Sequence, residues 1–258
     1  MTGAAAVRRR ERWAPWLLLV AVLVLWEAVC RGFGVSEFIF PSPSRIAAQL
    51  VEFRGVIAAH AWRTFWVTMV GFGLSIVVGT LLGVVIGSSR TAYAAMYPLM
   101  TGFNAVPKAA FVPILVVWFG IGVGPAVLTA FLISFFPITV NIATGLATIE
   151  PELEDVLRVL GARRTDVLLK IGLPRSLPYF YASLKVAITL AFVGTTVSEM
   201  TAANEGIGYL LISAGSSMQM GLAFGGLVVI GAMAMLMYEA FAVLERRTTA
   251  WAHRRSAI

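Results

Sequence analysis

Charged side chains are scarce in this sequence, since Asp, Glu, Lys and Arg together make up 13% of its 258 residues. A soluble domain of this length is typically about a quarter charged, so this chain has too little polar surface to cover a water-exposed globule. The one cysteine, Cys30, excludes an internal disulfide, and two histidines leave little for a metal site. We therefore expect a buried Cys30 thiol, no metal site and no cofactor.

The sequence also lacks the motifs of several enzyme classes. It contains no Gly-x-x-x-x-Gly-Lys-Ser/Thr motif, and none of its three lysines follows a glycine. A phosphate-binding loop for ATP must therefore come from another polypeptide. The motifs His-Glu-x-x-His and Gly-x-Ser-x-Gly are absent too, which argues against a membrane protease or esterase. We predict no catalytic residue, and no nucleic-acid partner, because no basic and aromatic stripe accompanies the net charge of +7.

Apolar residues, in contrast, make up 59% of the chain and give it a mean hydropathy of +0.86. They come in long blocks, and the blocks 65–87 and 124–146 contain no charged residue. A helix of ~20 apolar residues crosses the bilayer core. The sequence therefore predicts an all-α membrane protein with six transmembrane helices. Their expected ranges are 13–30, 65–87, 101–119, 124–147, 178–197 and 221–244.

The distribution of basic residues predicts the orientation of these spans. Arginines cluster before the first span, after the last one and between spans 4 and 5, whereas the segments 120–124 and 198–220 hold no Lys or Arg. Short cytoplasmic loops carry the excess of Lys and Arg, so both termini and the loop between spans 4 and 5 are predicted to be cytoplasmic in a bacterial plasma membrane. The expected organisation is a basic tail at 1–15, one transmembrane domain at 16–245 and a basic tail at 246–258.

One segment fits this orientation badly. Residues 31–63 carry four arginines on the predicted outer side of the membrane. The motif Pro41-Ser-Pro-Ser44 within it is typical of a capped helix start, so we expect a surface helix along the membrane after it.

Glycines and prolines predict how the spans pack and bend. Gly79, Gly83 and Gly87 share one face of the second span, where another helix can approach closely; direct contact with a solute is the alternative. Three prolines near spans 3 and 4 permit kinks. They are Pro107, Pro113 and Pro137.

The predicted cytoplasmic loop 150–174 has an amphipathic pattern of its own. Four apolar residues spaced i, i+3, i+4 and i+7 predict one stripe on a short helix; they are Leu153, Val156, Leu157 and Leu160. Gly161 is expected to end this helix in a left-handed conformation. A second short helix, closed by Leu173-Pro174, is predicted after it. Such a helix pair either fits a groove on a soluble partner or packs against its own bundle, and periodicity alone leaves both open.

The stretch Asp155-Val-Leu-Arg-Val-Leu-Gly161-Ala-Arg-Arg-Thr-Asp-Val-Leu-Leu-Lys-Ile171-Gly-Leu173-Pro174 resembles the EAA loop of binding-protein-dependent ABC permeases. The Gly, Ile, Leu and Pro of that loop stand at the expected offsets, while Asp-Val-Leu replaces Glu-Ala-Ala. The resemblance implies that the loop docks on an ATPase subunit and transmits its motion. The implied coupling residues are Leu153, Glu154, Asp155, Val156, Leu157, Arg158, Leu160, Gly161, Ala162, Ile171, Leu173 and Pro174.

Two further stretches resemble permeases of the nitrate, sulfonate and taurine importers. They are Phe111-Val-Pro-Ile-Leu-Val-Val-Trp-Phe119-Gly120-Ile-Gly122, and Ser198-Glu199-Met200 followed by Gly206-Ile-Gly208-Tyr209-Leu210. The resemblance implies the MetI-like fold of type I ABC importers, two permease copies forming the pathway, cytoplasmic ATPase subunits and an extracytoplasmic binding protein. It implies a small, anionic cargo such as nitrate, a sulfonate or an aromatic acid, or else a pyrimidine. An ATP-independent carrier or channel is the alternative.

Polar residues at the end of span 5 are candidates for the translocation pathway or its gate, because polar groups in membranes are costly unless they serve a function. They are Thr195, Thr196, Ser198, Glu199 and Asn204. In the competing interpretation, the two threonines bond their own helix and Glu199 is solvated outside.

The remaining charges near the spans have simpler expected roles. Lys108 and Lys185 are expected to reach the interface at cytoplasmic helix ends. Attraction of an anionic solute is the alternative for Lys108. Glu27 and Arg31, four residues apart, are expected to pair with each other.

Overall fold

The computed structural model describes residues 2–148, 156–157 and 159–249. Every regular element in these residues is helical, which confirms the all-α prediction. The helices are α1 (Thr2–Gly32), α2 (Pro43–Glu52), α3 (Arg54–Gly87), α4 (Arg90–Ala105), α5 (Val112–Phe119), α6 (Val123–Ala147), α7 (Arg164–Val167), α8 (Leu173–Ala202), α9 (Ile207–Ser216) and α10 (Met220–Thr248). A 3-10 turn, Lys108–Phe111, precedes α5, and a π-helical turn, Leu168–Gly172, precedes α8.

Within the described part of the chain, five helices are long and apolar enough to cross a membrane: α1 from Trp13, α3, α6, α8 and α10. Helix α4 and the segment Lys108–Phe119, which contains α5, are bent by 71° relative to each other. They give a sixth span if this bent pair is counted as one. The prediction of a single helix over 101–119 is therefore wrong. Val106 is extended (φ −70, ψ 127), which is the conformation favoured before a proline such as Pro107.

Helix α1 begins at Thr2, and its membrane-spanning part, Trp13–Gly32, agrees with the predicted first span at 13–30. The start of the fifth predicted span differs from the sequence prediction. Helix α8 begins at Leu173 rather than at residue 178, because Pro174 occupies the first turn, where its missing N–H costs nothing.

The chain divides into two compact units, residues 1–58 with 210–228 and residues 59–209 with 229–258. In the first unit, an aromatic cluster joins α1 to the segment before α2. The Trp26 ring stacks on Phe40 with centroids 5.1 Å apart, and Phe224 meets Phe40 edge-on at 5.6 Å. Cys30 is buried beside the Phe40 carbonyl, as predicted for its thiol.

A polar contact fixes the start of α2 in the same unit. The Glu27 carboxylate accepts hydrogen bonds from the Ser44 amide (3.0 Å), the Ser44 hydroxyl (2.7 Å) and Arg31 Nε (2.6 Å). The predicted pairing of Glu27 with Arg31 is confirmed. The predicted helix start is confirmed as well, since Ser42 caps α2 and Pro43 stands in its first turn.

Ion pairs account for three of the four arginines that fit the predicted orientation badly. The pairs are Arg31 with Glu27, Arg45 with Glu37, and Arg63 with Glu205. These three arginines therefore have neutralising partners, and the positive charge of this segment is smaller than its arginine count indicates.

The second unit is built on glycine-mediated contacts between α3 and α6. A Cβ at Gly79 would lie 3.0 Å from the Ile138 Cβ, and one at Gly83 would lie 2.8 Å from the Ile142 Cβ. The predicted packing role of the glycine face is therefore confirmed. Helices α6 and α8 make the main contact of the unit, with Gly194 of α8 against the backbone of α6. The core of the unit includes Phe72, Ala130, Ile138, Leu184, Ile188 and Phe192.

Candidate functional site

Gly161 forms the turn predicted in the loop between spans 4 and 5. Its φ is +84°, in the left-handed region that glycine adopts without strain. The Ala162 amide donates to the Leu157 carbonyl at 3.0 Å, as in a Schellman motif at a helix C-terminus. The sequence prediction of a helix stop with positive φ at this position is confirmed.

The apolar residues before Gly161 are strongly exposed. Val159 is 87% and Leu160 76% exposed, and Val156 is exposed as well, whereas Leu157 is half-buried. Val159, which does not belong to the predicted stripe, is thus part of the exposed apolar surface. Four of the predicted coupling residues lie outside the described residues; they are Leu153, Glu154, Asp155 and Arg158.

The segment after Gly161 leads directly into α8. The single turn α7 and the π-helical turn, which contains Ile171, run without a break into Leu173. The sequence prediction that Leu173-Pro174 closes a short helix is therefore wrong, because Pro174 stands in the first turn of α8. One continuous helix of 30 residues thus begins at the predicted coupling loop and ends at Ala202.

The far end of α8 carries a buried carboxylate. Glu199 is 2% exposed, and the Thr64 hydroxyl of α3 donates to it, with Oγ1 2.8 Å from Oε2 and 3.0 Å from Oε1. The Gly208 amide also donates to Oε2, at 3.0 Å. The interpretation of Glu199 as a solvated surface residue is therefore wrong.

Backbone amides after α8 complete this network. The Ile207 amide donates to the Thr64 hydroxyl at 2.8 Å, and the Gly206 amide donates to His60 Nδ1 at 3.0 Å. Gly206 has φ +104°, and a side chain on it would collide with the Glu199 carboxylate. Side chains of α3 and α8 thus bind the backbone amides at the start of α9 and of the residue before it. We call this network, formed by Glu199, Thr64, His60 and the backbone of residues 206–208, the polar latch.

The predicted pathway residues on α8 have different roles. Thr195 and Thr68 share a hydrogen bond of 2.9 Å between their hydroxyls, whereas the Thr196 hydroxyl donates only to the Phe192 carbonyl of its own helix. The competing interpretation is therefore correct for Thr196 and wrong for Thr195. Ser198 is buried, and its hydroxyl is one of the few buried polar atoms in the described residues without a hydrogen-bond partner.

A cavity of about 240 Å³ opens beside the polar latch. Glu199 and the exposed Asn204 line it, together with Arg63 and Glu205, which form an ion pair of 3.2 Å. Its other lining residues are Val67, Gly122, Val123, Ala126 and Ala203. The structure therefore brings Glu199 and Asn204 into one cavity, while Thr196 and Ser198 do not line it.

Sequence reasoning missed the α3 side of this site. Thr64 and His60 stand one turn apart and both face the 206–208 backbone. The available signal was a set of polar residues, His60, Thr64 and Thr68, spaced by four at the start of an apolar run. This spacing places them on one helix face.

The two lysines expected at cytoplasmic helix ends both bind acceptors within the chain. Lys185 forms a largely buried ion pair with Glu245 of α10, with Nζ 2.6 Å from Oε2. Lys108 is buried at the break between α4 and α5, where its ammonium donates to the Asn104 backbone and side-chain oxygens. The expectation is wrong for Lys108, whose acceptors lie at the break between α4 and α5. Lys185 instead meets Glu245 near the C-terminus of α10, the end that is predicted to be cytoplasmic.

Residues 75–249 match the family described as the binding-protein-dependent transport system inner membrane component. The chain belongs to this family. The MetI-like fold expected from the sequence is confirmed by a solved inward-facing structure of the MetNI methionine ABC transporter. That structure covers 76% of this chain and 98% of its own, with a TM-score of 0.67 and 18% identity.

Relatives of this permease extend the similarity to nearly the whole chain. A probable ABC transporter permease of Haemophilus influenzae is 30% identical over 87% of this chain and 91% of its own. A putative aliphatic sulfonates transport permease, SsuC of Bacillus subtilis, is 28% identical over 97% of this chain and 94% of its own. The chain is therefore a permease subunit of an ABC transporter.

Proposed function

We propose that this permease imports a small anionic solute by coupling a separate ATPase, docked at the loop around Gly161, to the polar latch. The observation that carries this proposal is the continuity of α8. At ~1.5 Å per residue, the 26-residue step from Leu173 to Glu199 along this helix is ~39 Å. Because the helix is continuous and packed against α6, a displacement at Leu173 can be transmitted along it to Glu199, past Pro178 in its second turn.

The polar latch is suited to act as a gate. It joins α3, α8 and the start of α9 through hydrogen bonds rather than through interlocked apolar side chains. The bond between the Ile207 amide and Thr64 contributes about 0.5–1.5 kcal/mol net, and each bond to the Glu199 carboxylate contributes about 1.5–3 kcal/mol. The network can therefore be exchanged for solvent contacts when α8 moves. The cavity beside it gives the solute a place next to the latch.

The exposed apolar residues of the loop support docking of the ATPase there. Val159 and Leu160 offer an apolar surface to a soluble partner, and this kind of surface fits a groove. Orientation by the positive-inside rule places this loop and both termini in the cytoplasm. In this arrangement the ATPase hydrolyses ATP, an extracytoplasmic binding protein delivers the solute, and the bilayer surrounds the helices.

Two copies of the permease form the pathway in this proposal. No residue of α4 is buried within the chain, and Val117 and Trp118 of α5 are strongly exposed. This surface includes polar residues such as Asn104, which are costly against lipid. A second copy covering the α4–α5 surface gives them a protein or water-filled environment.

Site-directed cross-linking tests ATPase docking. Replacing Cys30 by Ser gives a chain without cysteine, into which single cysteines are introduced at Val159 or Leu160 and labelled with a benzophenone maleimide. In membranes that contain the transporter's ATPase subunit, both positions should cross-link to it on illumination. Met218, exposed on the predicted outer side, is the control position. Cross-links from Met218→Cys instead of from the loop would overturn the proposal.

A further inference from the structure

The break between α4 and α5 holds a buried lysine. Lys108 follows Pro107 directly and starts the 3-10 turn that leads into α5. It is 8% exposed, and its Nζ donates to the Asn104 carbonyl at 3.0 Å and to Asn104 Oδ1 at 2.8 Å. An ammonium group has three N–H donors, and within the described residues the third one has no acceptor.

This ammonium lies at the middle of the transmembrane bundle. It is 5.8 Å from the ring centre of Phe136, which stands near the centre of α6. Helix α6 has 25 residues and is therefore ~37 Å long, enough to cross the bilayer core. Lys108 is thus far from the lipid headgroups at either surface, and a charge at this depth is costly unless it is compensated.

No carboxylate of the described residues lies within 4 Å of the Lys108 ammonium. Lys185, the other lysine inside the bundle, is paired with Glu245 at 2.6 Å. The rings of Phe103 and Phe136 are each 5.8 Å from the Lys108 ammonium and supply some cation–π attraction. Aromatic rings carry no net charge, so the positive charge of Lys108 has no counterion in the part of the chain that the structure describes.

The charge is close to an open surface of the chain. Asn104, whose side chain binds the ammonium, is exposed, and so is Phe103 on the same helix. An ion that arrives along the α4 surface therefore needs to displace only the Asn104 side chain to meet the ammonium. Access does not require opening of the core between α6 and α8.

We propose that Lys108 binds the anionic group of the solute midway across the membrane; this inference rests on the proposed function. The fitting ligand is a small oxyanion such as a sulfonate, a nitrate or a carboxylate, which neutralises the charge and accepts the free N–H. A neutral solute offers no such compensation. The Asn104 amide then supplies a second donor beside the bound oxyanion after it rotates away from the ammonium.

A purely structural role for Lys108 is the competing explanation. Its ammonium caps a free carbonyl at the C-terminus of α4, where a cation interacts favourably with the helix dipole. Capping needs a donor but no anion. The two roles therefore differ in their response to added anions.

The test uses the full-length permease in nanodiscs of zwitterionic lipid, so that no anionic headgroup competes. Its thermal unfolding midpoint is measured against sodium methanesulfonate and sodium nitrate, at ionic strength held constant with sodium chloride. Methanesulfonamide, a neutral molecule of nearly the same shape, is the ligand control. Lys108→Gln keeps a donor for the α4 carbonyl but removes the charge, and Lys108→Arg keeps both.

In wild type and Lys108→Arg, at least one anion should raise the thermal unfolding midpoint by a few degrees in a saturable way, whereas methanesulfonamide should not raise it. Lys108→Gln should show no rise. An equal rise in Lys108→Gln, or no anion effect in wild type, overturns the inference. Either result leaves the proposed function standing if loop cysteines still cross-link to the ATPase, whereas loss of those cross-links counts against the proposed function alone.

Discussion

The side chain of Glu199 leaves no room for a methyl group on Gly208. A Cβ at Gly208 would lie 2.7 Å from the Glu199 Cβ and would collide with the Thr196 carbonyl oxygen. This close approach allows the Gly208 amide to reach the carboxylate at 3.0 Å. The polar latch therefore depends on the absence of a side chain as much as on the presence of its polar groups.

Replacing Gly208 by Ala should displace the start of α9 from α8 and weaken the latch. Overpacking of this kind costs about 1–3 kcal/mol. We expect a lower unfolding midpoint of the purified permease and reduced uptake by the complete transporter. Gly215→Ala on the same helix is the matched control, because nothing lies within 4 Å of its added Cβ. If the two variants have the same unfolding midpoint and the same uptake, the close packing at Gly208 is not needed for stability or transport.

Threonine-to-valine changes on either side of the latch should have unequal effects. Thr64→Val removes the acceptor of the Ile207 amide and a donor to Glu199, and each buried group left unpaired costs about 1–3 kcal/mol. Thr196→Val removes only a bond within α8, so its effect should be small. Uptake and the unfolding midpoint, measured for both variants, decide this. If both variants lose uptake and stability to the same extent, the hydrogen bonds of the Thr64 hydroxyl contribute no more than the bond of Thr196 within α8.

Breaking the ion pair between Lys185 and Glu245 should destabilise the second unit. A buried charge left without its partner costs about 3–5 kcal/mol, so Lys185→Met alone should be strongly destabilising. The double variant Lys185→Met with Glu245→Met should recover most of this loss, because no charge is then left buried. A double-mutant cycle on the free energy of unfolding measures the coupling. Additive losses would contradict a direct interaction.

Gly161→Val should uncouple transport without removing the permease from the membrane. A β-branched residue at φ +84° is strained by on the order of 1 kcal/mol or more, and no neighbouring atom lies within 4 Å, so the effect is one of backbone conformation. Uptake and co-purification with a tagged ATPase should fall sharply at normal permease abundance. Gly161→Asn is the control, since Asn tolerates the left-handed region better. Full recovery and full transport in Gly161→Val would show that this loop is not the coupling element.

The sequence predicted the parts of this protein that depend on local chemistry. Apolar length located the spans, the spacing of Gly79, Gly83 and Gly87 gave the packing face, and Gly161 gave the turn. The break at Pro107 was harder to predict, because prolines also occur inside continuous membrane helices, as Pro137 does in α6.

The polar latch could be predicted only in part. Glu199 was identifiable as a polar residue near a span, but its partner Thr64 precedes it by more than a hundred residues, and so does His60, which accepts from the Gly206 amide. Which residues meet across helices depends on how α3 and α8 pack, and periodicity does not specify a partner. The depth of Lys108 was missed for the same reason, since it depends on its position beside α6.

The most direct test of coupling between the loop and the latch is the labelling rate of a single cysteine at Asn204, which lines the cavity. The complete transporter is reconstituted with the substitutions Cys30→Ser and Asn204→Cys. The rate at which a membrane-impermeant maleimide labels the new cysteine is then measured without nucleotide and in the presence of ATP and vanadate. We predict a several-fold change that disappears in Gly161→Val, while Met218→Cys labels at a constant rate. A nucleotide-independent rate at Asn204→Cys in an otherwise active transporter would contradict coupling between the loop and the latch.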